Sequence, residues 1–234
     1  MTLCIIPARG GSKRIPRKNI KNFCGLPMIA HSIRTAIDSG CFNQIIVSTD
    51  DDEIASISEK YGASVPFIRP ADLADDYATT GSVIYHALKV LTEHQIYLPN
   101  CICCLYATAP FTKANDLKEG LSVLQANHAD YTFSVTTFPF PIQRALKSDA
   151  NGLISMLQPE NYLTRSQDLE ETWHDAGQFY WGTQTAWLEE LPIFNSRTYG
   201  IPIPRYRAQD IDNHEDWQRA ELMFKILKQQ HEDS

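Results

Sequence analysis

The amino-acid sequence predicts an α/β protein with a mainly parallel sheet and helices on both faces. Short apolar runs typical of buried strands, beginning with Leu3–Ile6, alternate with segments whose apolar residues recur at helical spacing. This repeated strand–helix order favours parallel strands joined by crossover helices. A glycine pair, Gly10–Gly11, follows the first strand, at the position where open α/β sheets bind ligands. The 234 residues, 43% of them apolar, can supply the core of one such domain, spanning 1–234.

The remaining strands are predicted from β-branched runs, alternation and the turn residues that bound them. Their expected ranges are 44–48, 65–68, 101–106, 131–137, 178–182 and 199–203. Helical spacing of apolar residues lies within 23–40, 53–61, 83–91, 117–124, 185–191 and 217–227. Gly40 and Gly62 are expected at the ends of the first two helices, because glycine readily adopts the left-handed conformation found there.

A basic loop, residues 9–21, follows the first strand and contains no acidic residue. Backbone N–H groups at Gly10 and Gly11 can approach a ligand closely, and such groups form anion-binding concavities. Lys and Arg side chains around them suit phosphate. The loop therefore predicts a polyphosphate site, although a solvated basic loop is the alternative. Its spacing differs from the P-loop pattern. The basic residues are Arg9, Lys13, Arg14, Arg17, Lys18 and Lys21.

The overall charge and hydropathy exclude several classes of function. The net charge of −7 with one local basic cluster favours a small anionic ligand over nucleic acid, which needs an extended basic face. Apolar runs fall well short of the roughly 20 residues of a membrane span. The sequence opens on a strand without a signal-peptide pattern, so we expect no membrane association and a cytoplasmic location.

The six cysteines include a cluster, Cys101–Cys104, that could suggest a metal site. Within a strand, Cys103 and Cys104 would point to opposite faces of the sheet. A second cysteine or histidine cluster at zinc spacing is missing from the sequence. We therefore expect buried, reduced thiols that pack as small hydrophobic side chains.

The strand–helix pattern lapses at about 138–173. The run Phe138–Pro141 alternates aromatic residues with proline and cannot form a central strand. The segment is too long for a bare loop in a compact domain. We interpret it as an inserted arm that covers the site or pairs with a second subunit, and a lid within one chain is the alternative.

Two acidic residues near the last helix, Asp210 and Asp212, could bind a metal ion. In an extended backbone their carboxylates project to the same side, and Mg²⁺ commonly takes one or two carboxylates plus substrate phosphates. The alternative for Asp212 is a helix N-cap, with Glu215 completing a capping box. That alternative leaves Asp210 without a role, and the two interpretations could coexist.

Two other polar features compete for a functional role. The acidic run Asp50–Glu53 is a rival metal site, but capping and dipole stabilisation of the following helix is the favoured interpretation. His174 lies beside Asp175 and just before a predicted strand, so it suits either the edge of a site or the protein surface. No arrangement of Ser, His and Asp typical of nucleophilic catalysis was identified in the sequence.

Several motifs carry a resemblance to a known family. The run Pro7–Lys13 with Lys18–Asn19 resembles the nucleotide-binding motif of the CMP-sialic acid synthetase family, cytidylyltransferases built on a Rossmann-like sheet, and the likeness extends over nearly the whole chain. Further runs resemble, within that family, the branch whose acceptor is pseudaminic acid. They are Lys13–Asn19, Ser48–Asp51, Tyr106–Phe111, Thr164–Asp168 and His174–Tyr180.

The resemblance implies that the anomeric hydroxyl of a nine-carbon α-keto acid sugar attacks the α-phosphorus of CTP, which yields a CMP-sugar and pyrophosphate. Position by position, it implies a triphosphate site at Arg9, Gly10, Gly11, Ser12, Lys13 and Lys18, with Asn19 nearby. It implies a cytidine site at Ala8 and Arg69 beside Thr79 or Thr80, and Mg²⁺ on Asp210 and Asp212. Arg9, Lys13 and Asp212 would carry the catalysis. Sugar contacts are implied for Tyr106, Thr108, Gln178, Tyr180, Lys147 and Arg165.

The arm residues Lys147 and Arg165 would reach the sugar carboxylate in their own subunit or in the partner of a homodimer. Members acting on sialic acid usually carry Gln where this chain has Tyr106. A tyrosine ring suits a less polar sugar, and pseudaminic acid is deoxygenated at C9. Alternatives are the same reaction with N-acetylneuraminic or legionaminic acid, or a non-catalytic nucleotide-binding protein.

Overall fold

The computed structural model describes residues 1–74 and 78–232. The strands are β1 (Thr2–Pro7), β2 (Asn22–Phe23), β3 (Leu26–Pro27), β4 (Gln44–Ser48), β5 (Cys101–Leu105), β6 (Tyr131–Thr137), β7 (Leu146–Ser148), β8 (Ile154–Met156), β9 (Trp173–Thr183) and β10 (Thr198–Pro202). The α-helices are α1 (Met28–Ser39), α2 (Asp52–Lys60), α3 (Thr80–Glu93), α4 (Ala114–Ala126), α5 (Gln184–Leu188) and α6 (His214–Glu232).

Within the described residues, one six-stranded sheet organises the fold, in the order β10–β6–β9–β5–β1–β4. β1 runs parallel to β4 and β5, and β10 runs parallel to β6. β9 is antiparallel to both of its neighbours, β5 and β6. The prediction of a mainly parallel sheet is confirmed, and β9 is the exception.

The antiparallel β9 explains where the inserted segment leaves the fold. Because β6 and β9 pair in opposite directions, their connection needs no crossover helix. The segment between them, residues 138–172, therefore emerges at the carboxyl end of β6, the edge at which β1 and β5 also end. It contains the β7–β8 hairpin, so the predicted inserted arm includes two short strands.

Helices cover both faces of the sheet, as predicted. Cys4 and Ile6 of β1 pack on one face with residues of α1, α2 and α4. Leu3 and Ile5 pack on the other face with α3 and α5. This alternation follows from the two-residue period of a strand.

The cysteine cluster obeys the same rule. Cys103 packs in one core cluster and Cys104 in the other, so the two thiols face opposite sides of the sheet as expected. Burial raises the pKa of both thiols, which keeps them protonated. The cysteines of the described chain are free thiols, in agreement with the sequence interpretation.

A third apolar cluster joins the last helix to the basic loop. α6 contributes Trp217 and Ala220, the segment before it contributes Ile211, and the loop contributes Ile15. Phe23 of β2 lies between them, edge-on to Trp217 at a centroid distance of 5.4 Å. The cluster therefore holds the acidic segment at 210–212 beside the basic loop.

Two predicted elements differ from the structure. The expected strand at 65–68 is reduced to isolated bridges at Ser64 and Ile68, because Pro66 has no N–H to donate to a ladder. The first helix begins only at Met28. The residues before it form the β2–β3 hairpin, whose turn places Cys24 and Gly25 at positive φ. Gly40 ends α1 in the left-handed conformation, as expected.

Among the described residues, every helix is too short or too polar to cross a membrane.

We predict that Trp217→Ala lowers the free energy of unfolding by about 3–5 kcal/mol, because the ring is only 4% exposed and packs against Phe23. Urea denaturation followed by circular dichroism measures the change. Leu222→Ala on the same helix is the control, since Leu222 is 63% exposed and should shift stability by less than about 0.5 kcal/mol. Equal effects of the two substitutions would contradict the role of the cluster.

Candidate active site

A cavity of about 600 Å³ opens at the carboxyl ends of β1 and β5. It brings together the basic loop, the start of α3, the turn after β5 and the acidic segment before α6. The predicted site residues that line it are Arg9, Ser12, Lys13, Lys18, Asn19, Arg69, Thr79, Thr80, Tyr106, Thr108 and Asp212. The predicted site residues outside its lining are Ala8, Gly10, Gly11, Lys147, Arg165, Gln178, Tyr180 and Asp210.

The basic loop is held in shape by its own hydrogen bonds. The Asn19 side-chain amide donates to the Arg9 carbonyl at 2.9 Å. The Gly10 N–H donates to Asp50 Oδ1 at 2.9 Å, so this N–H is used within the fold. Ala8 is buried beneath the loop and its N–H donates to the Ser48 carbonyl. Asn19 and Ala8 thus contribute to the shape of the loop as well as to its position.

The acidic segment meets the basic loop across the cavity. Lys18 Nζ donates to the Ile211 carbonyl at 2.7 Å and lies 3.4 Å from Asp212 Oδ1. Arg14 Nη2 lies 2.8 Å from Asp212 Oδ2. A contact between residues separated by 194 positions therefore completes the site. A shared site for a triphosphate and a metal ion requires the basic loop and Asp212 to lie this close together.

The alternative interpretation, in which Asp212 caps the last helix and Glu215 completes the capping box, is wrong. Asn213 caps α6, because its Oδ1 accepts from the Asp216 N–H at 3.0 Å. The Asp216 carboxylate accepts in return from the N–H groups of Asp212 and Asn213, both at 3.1 Å. The side chain of Asp212 therefore faces the cations of the loop instead of the helix end.

Asp210 lies two residues before Asp212, just outside the cavity lining. Desolvation, and then the like charge of Asp212, raise the pKa of Asp210, while Lys18 and Arg14 lower it. Added positive charge would offset both effects. A bound cation would supply that charge.

Arg69 is a buried cation in the cavity wall. Its residue is only 5% exposed, and burial lowers the pKa of its guanidinium. Its Nη2 lies 3.9 Å from Asp50 Oδ1. Within the described part of the chain its buried Nε has no hydrogen-bond partner. A buried donor of this kind is costly unless an acceptor meets it, so Arg69 is suited to bind a ligand oxygen.

The start of α3 adds polar groups to the cavity. Thr79 caps the helix, since its Oγ1 accepts from the Ser82 N–H at 3.1 Å. Thr80 Oγ1 and Tyr106 Oη share a hydrogen bond of 2.6 Å. The N-terminal end of a helix carries partial positive charge, which favours an anionic ligand here.

Tyr180 stands behind Tyr106 and outside the cavity lining. The two rings lie 5.5 Å apart, and Tyr180 Oη donates to Asp175 Oδ2 at 2.5 Å. Burial raises the pKa of Tyr106 to about 12 and also raises that of Tyr180. Both phenols therefore remain protonated at neutral pH, and Tyr180 acts as a hydrogen-bond donor.

Gln178, expected to contact a sugar, is buried within the fold. Its Oε1 accepts from Thr112 Oγ1 at 2.8 Å, and its Nε2 donates to the Arg207 carbonyl. Arg207 in turn makes a buried, bidentate pair with Asp116. Sequence reasoning missed Arg207 and Asp116. They lie 91 positions apart, and no local pattern relates them.

The arm residues Lys147 and Arg165 do not reach the cavity of their own chain. Lys147 is exposed on β7. Arg165 Nε donates to Asp168 Oδ2 at 2.7 Å on an exposed turn. His174 Nδ1 donates to the Asp175 carbonyl at 2.8 Å, and the ring packs against that of Phe138. His174 therefore lies at the base of the arm.

The acidic run Asp50–Glu53 caps a helix, as favoured from sequence. Asp51 Oδ1 accepts from the Ile54 N–H at 2.9 Å and caps α2. Arg17 of the basic loop binds the Asp51 and Glu53 carboxylates. Among the described residues, no group of three or more His, Cys, Asp and Glu is arranged to hold a metal ion.

A family model described as cytidylyltransferase matches residues 3–230. The chain belongs to the cytidylyltransferase family. The cytidylyltransferase is 46% identical over 225 residues to pseudaminic acid cytidylyltransferase of Campylobacter jejuni subsp. jejuni serotype O:23/36 (strain 81-176), with 96% of each chain covered. It is 29% identical over 234 residues to CMP-N,N'-diacetyllegionaminic acid synthase of Legionella pneumophila subsp. pneumophila (strain Philadelphia 1), again with 96% of each covered.

The fold of the cytidylyltransferase resembles that of CMP:2-keto-3-deoxy-manno-octonic acid synthetase solved with CTP. The TM-score is 0.68 at 14% identity, and the match covers 96% of this chain and 98% of the other. The family expected from the sequence motifs is confirmed. The enzyme class is confirmed as well, since the family model and the relative at 46% identity are both named as cytidylyltransferases.

We predict an acid-sensitive contribution to stability from Asp51. Hydrogen bonding to Arg17 lowers the pKa of Asp51 from 3.8 to about 2. A carboxylate with a depressed pKa stabilises the fold above its ordinary pKa, and the effect is lost as pH falls towards 2. Asp51→Asn keeps the helix cap but removes the charge. The difference in free energy of unfolding between wild type and Asp51→Asn should therefore shrink below about pH 4.

Urea unfolding at pH 7, 4 and 3 measures this difference. Arg17→Gln should show the same trend, because it removes the group that depresses the Asp51 pKa. A difference that stays constant over this pH range would contradict the assignment.

Proposed function

We propose that the cytidylyltransferase transfers CMP from CTP to the anomeric hydroxyl of pseudaminic acid and releases pyrophosphate. The observation that carries the proposal is the meeting of Lys18 and Arg14 with Asp212 in one cavity. A triphosphate needs cations, and a metal that shares its oxygens needs carboxylates. The acceptor follows from the relative at 46% identity, whose name specifies pseudaminic acid.

The nucleotide binds along the basic loop in this proposal. Arg9, Lys13 and Lys18 line one wall and neutralise the triphosphate, and Ser12 adds a hydroxyl. The unpartnered Nε of Arg69 donates to an oxygen of the cytidine. The start of α3 closes the same side of the cavity with Thr79 and Thr80.

Asp210 and Asp212 fit a divalent cation such as Mg²⁺. Their like charges repel each other beside the cavity, and desolvation at Asp210 adds to the need for positive charge. Two carboxylates are enough, because Mg²⁺ takes its remaining ligands from phosphates and water. When bound, the ion polarises the phosphate oxygens and neutralises charge on them. Arg14 and Lys18 hold the Asp212 side chain on the cavity side.

The reaction needs positioning and charge stabilisation more than covalent catalysis. The acceptor hydroxyl loses its proton to solvent water, and its oxygen forms a bond to the α-phosphorus. The bond from the α-phosphorus to the bridging oxygen breaks, and pyrophosphate leaves with that electron pair. Arg9 and Lys13 stabilise the negative charge that develops on the leaving group.

The sugar occupies the end of the cavity lined by Tyr106 and Thr108. Tyr106 is held by Thr80 on one side and by the ring of Tyr180 on the other. The aromatic face of Tyr106 suits an acceptor that lacks an oxygen at C9. Tyr180 packs against Tyr106, and Gln178 Nε2 holds the backbone carbonyl of Arg207.

We further propose a homodimer in which each arm closes the partner's cavity. The arm carries apolar side chains that are exposed in one chain, including Phe140, Leu153 and Leu163. Exposed apolar patches on a folded chain mark contact surfaces. Lys147 and Arg165 lie on the same arm and would bring positive charge to the sugar carboxylate.

The proposed function is tested with CTP and a panel of acceptors. We expect pyrophosphate release with pseudaminic acid at a kcat/KM at least about tenfold above that with N-acetylneuraminic or legionaminic acid, which corresponds to one missing or misplaced polar contact. Asp212→Asn should stay folded and lose about 100-fold or more in kcat, because a metal contributes several kcal/mol to the transition state.

Glu215→Gln is the matched control for Asp212→Asn, since it removes one charge from an exposed residue three positions away. It should retain wild-type turnover. Full activity of Asp212→Asn would reject the metal assignment, and a preference for another acceptor would reject pseudaminic acid as the substrate.

Mixed dimers test the position of Arg165. Asp212→Asn and Arg165→Ala are expected to be inactive alone. Co-expressed, they should recover about a quarter of wild-type activity, because half of the dimers are mixed and one of their two sites is intact. Analytical ultracentrifugation verifies the dimers. Recovery would fail if Arg165 acted in its own subunit, and a monomeric protein would reject the dimer altogether.

A further inference from the structure

One arginine of the basic loop does not face the cavity. Arg17 is missing from its lining, whereas Arg9, Lys13, Arg14 and Lys18 belong to it. Arg17 binds the Asp51 carboxylate with both terminal nitrogens, with Nη2 2.9 Å from Oδ1. The same Nη2 lies 2.5 Å from Glu53 Oε2.

Arg17 also occupies an unusual backbone conformation, with a φ of 57°. Side chains other than glycine seldom adopt this left-handed region without support from their surroundings. Its carbonyl accepts from the N–H groups of Ile20 and Lys21, which closes the turn that carries Lys18. The position of the Arg17 side chain and the shape of this turn are therefore linked.

A second contact fixes the other end of the loop to the same acidic run. The Gly10 N–H donates to Asp50 Oδ1 at 2.9 Å. A Cβ at Gly10 would lie 2.7 Å from Asp51 Oδ2, so the two segments pack closely and only glycine fits without a shift. Ser12 and Lys13 lie between these two attachment points.

We infer that Arg17 and the acidic run Asp50–Glu53 form a clamp that preorganises the basic loop for the triphosphate. This clamp rests on the proposed function, because it needs the loop to bind the nucleotide. It makes Arg17 a positioning residue, which touches no phosphate. A loop already held in its binding shape loses less conformational entropy when the ligand arrives.

The acidic partners also explain how so many cations can share one short loop. Arg17, which is not part of the cavity lining, is neutralised by Asp51, and the pKa of Asp51 is correspondingly low. Of the two ion pairs, the one to Asp51 is less exposed to solvent. The Asp51 side chain is 22% exposed, and that of Glu53 is 66% exposed. Asp51 is therefore the main partner.

The clamp is tested with Arg17→Gln, Asp51→Asn and the double variant. Asn at 51 still caps α2, so this substitution removes only the charged partner. We expect each single variant to raise the KM and Kd for CTP about two- to fivefold, the range of a partly exposed ion pair. The double variant should bind CTP no more weakly than the single variant with the larger Kd. The kcat and the KM for the sugar should stay unchanged, and amide exchange at residues 10–18 should rise.

The competing explanation is that Arg17 swings into the cavity and binds phosphate itself. In that case Asp51→Asn would release Arg17 and leave CTP binding unchanged or tighter, while Arg17→Gln would still weaken it. That pattern, or unchanged CTP binding in both variants, overturns the clamp. Glu59→Gln, an exposed change of charge later in α2, is the control and should bind CTP like wild type.

Lys13→Ala separates failure of the clamp from failure of the proposed site. If Lys13→Ala abolishes CTP binding and the Arg17 and Asp51 variants do nothing, the nucleotide site stands and the clamp is wrong. If Lys13→Ala binds CTP normally, the proposed site itself is wrong.

Discussion

The cavity of this cytidylyltransferase depends on the packing of α6 against the basic loop. Ile211 and Trp217 enter an apolar cluster with Ile15 and Phe23, and burial of this surface is the main attractive force between the two segments. The ion pairs of Asp212 with Lys18 and Arg14 are partly exposed and stabilise little on their own. The apolar contact thus sets the position at which the charges meet.

A buried polar network supports the same segment from the other side. Arg207 lies three residues before Asp210 and pairs with Asp116 at the start of α4. Its carbonyl accepts from Gln178 on β9. Removing one member of such a buried pair leaves the other charge uncompensated and is strongly destabilising. The acidic segment is therefore fixed by an apolar cluster at Ile211 and by a buried hydrogen-bond network at Arg207.

Local pattern sufficed for most elements of the fold. The run 44–48 is the observed β4, and the inward residues expected for α3 are buried. The basic loop lies at the carboxyl end of β1, where open α/β sheets bind ligands, and Asp212 lines the same cavity, whereas Asp210 lies outside its lining. The features that the sequence did not predict depend on contacts between residues far apart in the chain. The antiparallel direction of β9, the cap at Asn213 and the buried amide of Gln178 are decided by contacts that leave no local periodicity.

The distance along the chain between the two halves of the site bears on biosynthesis. Lys18 and the Ile211 carbonyl that it contacts are 193 positions apart. When the ribosome has synthesised the first strand, the basic loop and most of the sheet, it has therefore not yet synthesised the acidic segment at 210–212. The nascent polypeptide can fold its central layers early, yet it acquires a complete cavity only after the segment at 210–217 has left the exit tunnel and docked.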